Sequence, residues 1–328
     1  MTDTDTAIGE MRLAVLGKPI AHSKSPVIQL AAYGLLGIGW RYDAIECDEA
    51  GLAGLLDSRG PEWRGFSLTM PLKEEAFRLA QFVDPVAVES GVVNTLLRLS
   101  DDGSGLPHWA GYNTDVAGIA SAIARAGLDA TDVVVIGSGA TAVSSIMAVR
   151  RLGGARVTLL ARNEEAMVDL VARFDDTREP DLTGSASGPT IAVASVTMAD
   201  AADPVVAQRL AEATLVISTL PGQAGAGLGL PAGLETVPLF DVAYDPWPSP
   251  LAVRWSGAGG TAHAGLEMLI EQAIVQIRIF LTGDPRVEVP HEGEVREAMI
   301  AASAAASGSA SSSAASGSAS NPTSNVGG

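Results

Sequence analysis

Val-Val-Val-Ile-Gly-Ser-Gly-Ala-Thr-Ala-Val, residues 133–143, is the stretch on which the reading of the fold turns. Four β-branched residues in a row, Val133 to Ile136, predict a strand buried on both faces. The next six, Gly137-Ser138-Gly139-Ala140-Thr141-Ala142, fit the pattern G-x-G-x-x-G/A. In that pattern Gly137 permits the tight turn, Gly139 lets backbone approach a pyrophosphate, and Ala142 is small enough for the following helix to pack on the strand. The helix over residues 142–149 then presents its first N–H groups to an anion. Glycines also occur at ordinary strand-to-helix turns for steric reasons, so the context has to carry the argument.

That context is a complete βαβ unit. Gly153-Gly154 close the helix, and Ala-Arg-Val-Thr-Leu-Leu, residues 155–160, reads as the second strand. An NAD site usually places Asp or Glu at the end of this strand, on the ribose diol. Here the strand runs into Ala161-Arg162-Asn163. An Arg at that place suits a 2′-phosphate, because it is planar, always charged and bonds two oxygens at once. NADP is therefore favoured over NAD, although Glu164 and Glu165 just beyond keep NAD open, and a solvated Arg at a helix start is the plainer alternative.

A chain of 328 residues with 47% hydrophobic content accommodates two domains with substantial cores. Its net charge of −17 argues against nucleic acid or an anionic membrane surface as partner. The single cysteine, Cys47, cannot form an intramolecular disulfide and points to a reducing, cytoplasmic compartment. It reads as a buried thiol rather than a nucleophile. Residues 1–10 are polar and acidic, without the basic and apolar pattern of a secretory signal, and no run of apolar residues is long enough to span a membrane. From residue 301 the chain is nearly all Ala, Ser and Gly and reads as a disordered tail, 301–328. No His, Cys and acidic cluster has metal-ligand spacing; His22, His108, His263 and His291 are scattered.

Ahead of the glycine loop, polar groups recur where predicted strands end. Residues 11–16 form a strand, followed by the loop Lys18-Pro-Ile-Ala-His-Ser23-Lys24-Ser25-Pro26. Its two hydroxyls suit a polyol or carboxylate ligand, or Ser25 simply caps the next helix. In Phe66-Ser67-Leu68-Thr69-Met70-Pro71-Leu72-Lys73 a strand ends at Thr69, Pro71 opens a helix, and Lys73 falls in its first turn. A cation there is electrostatically disfavoured, which calls for a task or a partner carboxylate. Gly91-Val-Val-Asn94-Thr95 starts another strand, and Gly111-Tyr-Asn113-Thr114-Asp115 leads into a helix that Asp115 could cap. In open α/β sheets the strand ends converge on one crevice, so Ser23, Ser25, Thr69, Lys73, Asn94 and Asp115 are expected to share one site.

Taken together these segments resemble the shikimate dehydrogenase family. The loop through Ser23 and Ser25 is similar to its shikimate-binding Ser-x-Ser, and Ser67-Leu-Thr69-Met-Pro-Leu-Lys73 to its Asn-Val-Thr-x-Pro-x-Lys with a catalytic lysine. Gly91-Val-Val-Asn94-Thr95 and Asn113-Thr114-Asp115 resemble Gly-Ala-Val-Asn-Thr and Asn-Thr-Asp. Further on, Asp241-Val-Ala-Tyr244 and Gly265-Leu-Glu-Met268-Leu-Ile-Glu-Gln272-Ala are similar to segments whose Tyr and Gln touch substrate. The resemblance spans about residues 11–300 in order.

It implies an α/β fold of two domains: an open, mostly parallel substrate domain, residues 1–114 and 265–300, and a Rossmann-like NADP-binding domain, residues 115–264. It implies reversible NADPH-dependent reduction of 3-dehydroshikimate to shikimate, in the pathway to chorismate and aromatic amino acids. Lys73 and Asp115 are the implied acid–base pair. Ser23, Ser25 and Tyr244 are expected to hold the substrate carboxylate, and Thr69, Asn94, Asp115 and Gln272 its hydroxyls. Gly137, Ser138, Gly139, Ala140, Thr141, Arg162, Asn163, Ser218, Thr219, Val242, Gly265 and Met268 are expected along the cofactor. The assembly is expected to be a monomer or homodimer.

The sequence departs from the family at the glycine loop, at Ala161-Arg162-Asn163 in place of Asn-Arg-Thr, at Ser218-Thr219-Leu-Pro, and in the tail. An NAD-dependent quinate/shikimate dehydrogenase, a non-catalytic sensor of the same ligands and a folate-type dehydrogenase are the competing readings. Residues 173–190 are polar and turn-rich and are expected as a surface excursion. Residues 239–244 are expected as the last strand, and residues 265–282, apolar at helical spacing, as a helix packing back on the first domain; Gln272 and Gln276 share a face, with solvent exposure the plainer alternative for Gln276.

Overall fold

The computed structural model describes residues 10–99, 106–180 and 186–316. The expectation for residues 1–9 and the end of the expected tail, residues 317–328, lie outside them. No described helix is long and apolar enough to cross a membrane.

The first sheet is built by β1 (Arg12–Gly17), α1 (Ser25–Leu35), β2 (Arg41–Glu46), α2 (Glu49–Asp57), β3 (Trp63–Leu68), α3 (Lys73–Leu79), β4 (Phe82–Val83), α4 (Pro85–Ser90), β5 (Thr95–Arg98) and β6 (Trp109–Tyr112). The strand order is β2-β1-β3-β5-β6-β4. β1 lies parallel to both neighbours, whereas β5 runs antiparallel to β3 and β6. The reversal decides the site: the start of β5 falls on the edge where β1, β3 and β6 end. Backbone bonds close that edge, from Thr69 N to Leu16 O (2.9 Å), from Leu68 N to Asn94 O (2.7 Å) and from Asn94 N to Tyr112 O (3.0 Å).

α5 (Asp115–Arg125) leads into the second sheet, made by β7 (Asp132–Ile136), α6 (Ala140–Arg151), β8 (Arg156–Ala161), α7 (Glu164–Phe174), β9 (Thr177–Pro180), β10 (Ala186–Thr197), α8 (Pro204–Ala211), β11 (Leu215–Ser218), β12 (Leu239–Asp241), α9 (Pro250–Gly257) and β13 (Ala262–Ala264). The order β13-β12-β11-β7-β8-β10-β9 is parallel throughout except for β9. Successive strands leave β7 on one side through β8 and return on the other through β11, so the order reverses between β7 and β11. Residues 133–136 are fully buried, as their β-branched run predicts.

Two features of the sequence reading change here. Residues 173–190 are not simply a surface excursion: they contain β9 and the start of β10, an edge hairpin held by Arg150, which bonds Glu179 (2.9 Å) and Glu89 (2.7 and 2.9 Å). The turn-rich composition hides a strand whose Ile191 and Val193 are buried. The strand expected over residues 239–244 is likewise not the last, since β12 is short and β13 follows.

α10 (Leu266–Thr282) joins the halves. Ile270, Ala273, Ile277 and Phe280 pack with Leu13, Tyr42 and α1, while Met268 belongs to the core of β7, α5 and α6. Gly118 makes the crossing of α5 and α10 possible, because a Cβ there would lie 2.7 Å from the Gln272 Cβ. α11 (Glu292–Ser316) carries helix past residue 301, so the tail reading changes for the residues directly after it. Val295 and Met299 are buried against α1, Ser303 is buried one turn further on, and Lys24 donates to Ser307 Oγ (2.8 Å). Alanine is the best helix former, and small side chains let α11 lie close to α1, so a composition poor in apolar bulk still orders here. Truncation after residue 300 is therefore expected to lower stability by about 1–2 kcal/mol, read as a drop in the melting temperature; an unchanged melting temperature would restore the disordered-tail reading from residue 301.

Candidate active site

The strand ends of both sheets face a cleft of about 390 Å3. Every residue expected to touch substrate lines it: Ser23, Ser25, Thr69, Lys73, Asn94, Asp115, Tyr244 and Gln272.

Lys73 is the first residue of α3 and Asp115 the first of α5. Lys73 Nζ donates to Asp115 Oδ2 at 2.5 Å, with side chains only 13% and 7% exposed. The carboxylate supplies the partner that an ammonium at a helix start requires, and it gains in turn from the N-terminus of its own helix. Asp115 is not the cap of α5: that position is Thr114, and no side chain caps the helix. Asp115 Oδ1 instead accepts from Asn94 Nδ2 (2.8 Å), and its own N–H bonds Asn113 Oδ1 (3.0 Å). Asn94 is further engaged by Thr114 N (2.9 Å) and Thr95 Oγ1 (2.8 Å), so it orients the carboxylate as well as facing the cleft. Gln272 donates to Leu269 O (2.7 Å) and accepts from Thr114 Oγ1 (3.3 Å).

The Ser23–Ser25 loop forms the opposite corner. Ser25 is inside α1, whose cap position is Lys24 with no side-chain cap bond, so the capping alternative fails and the Ser25 hydroxyl is left for the cleft. Ser23 Oγ accepts from Ser25 N (3.3 Å). Tyr244 closes this corner; burial pushes its hydroxyl above the usual tyrosine range, partly offset by bonds from the Lys24 backbone and Ser23. The Lys24 ammonium lies 6.0 Å from the Tyr244 ring centre and 3.9 Å from Asp245 Oδ2.

The nucleotide-type residues divide among several places. Thr141, Thr219, Val242, Gly265 and Met268 line the same cleft. Ser138, Gly139 and Ala140 line an adjoining hollow of about 400 Å3 together with Arg78 and Arg173, which the sequence reading did not single out. Gly137 has φ +120°, a conformation closed to most residues, and a Cβ there would strike Thr219 Oγ1. Gly139 caps α6 without a side chain, and a Cβ on it would meet nothing within 4 Å, so space lies open before the helix N-terminus. Arg162 and Asn163 are exposed after β8, and Asn163 Oδ1 caps α7 through Ala166 N (3.1 Å). Ser218 is a correction: it is buried beside Asp241 and does not line the cleft. Neighbours on an extended strand point opposite ways, so Thr219 takes the outward place. Burial also raises the Asp241 carboxyl above its ordinary value, against bonds from Ser249 and Ala243 N that lower it.

At Gln276 the plainer alternative fails. It is buried rather than solvent-exposed and lines the cleft one helical turn after Gln272. His22 and Ser67 also line it. The four-residue spacing of the two glutamines was the available signal for Gln276; nothing in the sequence marks Ser67 apart from its place in the Ser-Leu-Thr motif. Among the described residues no group of His, Cys, Asp or Glu is arranged for a metal ion.

Fold and cleft define a class: a dinucleotide-binding α/β protein whose first, mixed sheet presents a polar pocket with a buried Lys–Asp pair. Comparison with known proteins narrows it. The family model described as shikimate dehydrogenase substrate binding domain matches residues 15–96. Shikimate dehydrogenase (NADP(+)) of Prochlorococcus marinus (strain MIT 9515) is 27% identical over 292 residues, 85% of this chain and 94% of that protein. The crystal structure of Mycobacterium tuberculosis shikimate dehydrogenase is 36% identical with a TM-score of 0.72, covering 90% of this chain and 99% of that one. Shikimate 5-dehydrogenase of Thermus thermophilus, solved in complex with NADP(H) and shikimate, is 28% identical with a TM-score of 0.69, covering 89% and 99%. The chain belongs to the shikimate dehydrogenase family.

Removing one partner of a buried ion pair leaves the other uncompensated. Lys73→Met is expected to cost about 3 kcal/mol in urea denaturation, and adding Asp115→Asn to recover more than half of it. Strictly additive losses would show that the two charges are not coupled.

Proposed function

We propose that this chain is an NADP-dependent shikimate dehydrogenase, interconverting 3-dehydroshikimate and shikimate. The observation that carries the reading is the Lys73–Asp115 pair, held at 2.5 Å in a cleft bordered on one side by the Ser23–Ser25 loop and on the other by Thr141, Thr219 and Val242. The names of the relatives and the ligands of the Thermus thermophilus structure support it. So does the division of the chain: α5 packs into the core of the second sheet and α10 into that of the first, consistent with an NADP domain over residues 115–264 and a substrate domain over 1–114 and 265–300. A cytoplasmic location fits the lone buried thiol of Cys47.

The residues fit the cofactor. The glycine loop and the uncapped start of α6 would take the pyrophosphate, and Arg162, exposed at the end of β8 where no acid stands, would take the 2′-phosphate. When bound, the reduced nicotinamide supplies a hydride to C3 of the substrate. Lys73 gives a proton to the C3 oxygen as the carbonyl is reduced and takes it back in the reverse direction. Asp115, fixed by Asn94 and the Asn113 side chain, holds the ammonium in place. Ser23, Ser25 and Tyr244 bind the carboxylate; Thr69, Asn94, Asp115 and Gln272 bind the ring hydroxyls.

Initial rates with shikimate and with quinate, each with NADP and NAD, test the assignment. The pair shikimate and NADP is expected to be fastest by a wide margin, whereas equal or faster turnover of quinate with NAD would overturn it. Lys73→Ala is expected to lower kcat at least about 100-fold with little change in KM; near-normal kcat would remove Lys73 from the chemistry. Arg162→Ala is expected to weaken NADPH binding far more than NADH, and equal effects would refute the 2′-phosphate role.

A further inference from the structure

Behind the Ser25 corner lies a chain of buried polar groups that the proposed chemistry does not use. Tyr42 OH donates to Ser67 Oγ (2.6 Å), and Ser67 Oγ donates to Gln276 Oε1 (2.8 Å). Gln29 Nε2 donates to the same oxygen (3.1 Å). Gln29 is wholly buried, Gln276 is only 2% exposed, and Tyr42 and Ser67 are buried too. A carbonyl oxygen has two lone pairs, and both of Oε1 are taken from the protein side.

The direction of this chain follows from its proton count. As arranged, it leaves one buried atom without a partner, Gln29 Oε1. Turning both amides over would leave the Ser67 proton and the Gln29 amide protons without acceptors, a greater loss for sealed donors. The amide of Gln276 is therefore locked with its NH2 end toward the cleft that the residue lines. Among the described residues Gln276 Nε2 has no acceptor, yet it is not sealed off as Gln29 Oε1 is.

We propose that Gln276 is a further substrate-binding residue, donating from Nε2 to the carboxylate of the bound hydroxy acid. An NH2 group whose own oxygen is occupied can only donate. It matches a group that only accepts, which a carboxylate is and a ring hydroxyl is not. Its position agrees: Gln29, which anchors it, stands one turn after Ser25 on α1, so the amide belongs to the Ser25 corner rather than to the Lys73 side. Ser67 and Tyr42 are positioning residues, acting through the Gln276 oxygen. The proposal rests on the reading of the cleft as a shikimate site.

The test is steady-state kinetics of the full-length wild type, Gln276→Leu, Gln276→Glu and Tyr42→Phe with NADP, using shikimate and its methyl ester. Gln276→Leu is expected to raise KM for shikimate about tenfold or more, the size of one hydrogen bond to a charged group, with KM for NADP unmoved. Gln276→Glu sets two carboxylates against each other, so its KM is expected to rise further and to recover as the pH is lowered. Tyr42→Phe, outside the cleft, is expected to give a smaller rise in the same constant. The ester, which lacks the charge, is expected to respond little to any of them. An unchanged KM for shikimate in a Gln276→Leu protein that melts cooperatively would overturn the proposal, as would an equal rise for the ester. If Gln276→Leu does not fold, Tyr42→Phe decides: a lowered melting temperature with unaltered KM would assign the chain of bonds to stability alone. A wild type that does not oxidise shikimate would overturn the functional reading itself, a result distinct from an active enzyme indifferent to residue 276.

Discussion

A buried ion pair sets the terms for this molecule. Lys73 and Asp115 come from separate helices and both are largely removed from water, so neither charge is tolerable without the other. Holding them together demands that the ends of β3 and β6, which lead into α3 and α5, lie on one edge of the sheet. β5, placed between those two strands, runs the opposite way, and its start then delivers Asn94 to the same edge. The carboxylate thus meets the lysine from one side and the amide from the other, while the Asn113 side chain holds its backbone. A strand with the parallel sense at that place would carry Asn94 to the far edge and leave Asp115 Oδ1 unsatisfied.

The second constraint is the crossing of α5 and α10. α5 is packed in the core of the nucleotide sheet, and α10 carries Met268 into that core and the rest of its apolar face into the other. Contact at Gly118 brings the two helices close enough for Thr114 to bond Gln272. Gln272 on α10 is in this way tied to the helix that bears Asp115. Asp115 and Met268, which lines the cleft beside Thr141, are consequently joined through packed helices instead of meeting only across open space.

Much of this is written in the chain. The glycine loop and the convergence of Ser23, Ser25, Thr69, Lys73, Asn94 and Asp115 follow from local patterns at strand ends, and the structure brings these six together. What stays hidden depends on tertiary partners. Gln276 reads as solvated because a polar side chain on a helix usually is; only Gln29 and Ser67, hundreds of residues away in sequence, make its burial affordable. The start of the Ala-Ser segment reads as disordered because the contacts its helix makes, a buried Ser303 and the bond from Lys24 to Ser307, are ones no local rule reveals. The edge hairpin of β9 and β10 depends on Arg150 in the same way. Ser218 and Thr219 sit side by side in the motif, and which of them faces the cleft is a matter of strand phase, which a short apolar run leaves ambiguous.

Net charge poses a last question. A chain at −17 would repel the anions its cleft is proposed to bind, if average charge governed the site. Local geometry outweighs the average. Strand ends in such sheets feed directly into helices, so α1, α5, α6 and α10 all begin at the cleft and offer it their N–H ends. α5 gives that end to Asp115, and Lys73 cancels the resulting charge, so the pair leaves an ammonium in place without making the pocket a general trap for anions. On the proposed reading the carboxylate and the pyrophosphate are met by hydroxyls, amides and helix ends, each neutral, and only the 2′-phosphate meets a charge, that of Arg162. Such donors discriminate by position rather than by charge, which is what a site must do when its ligand and the rest of the protein carry the same sign.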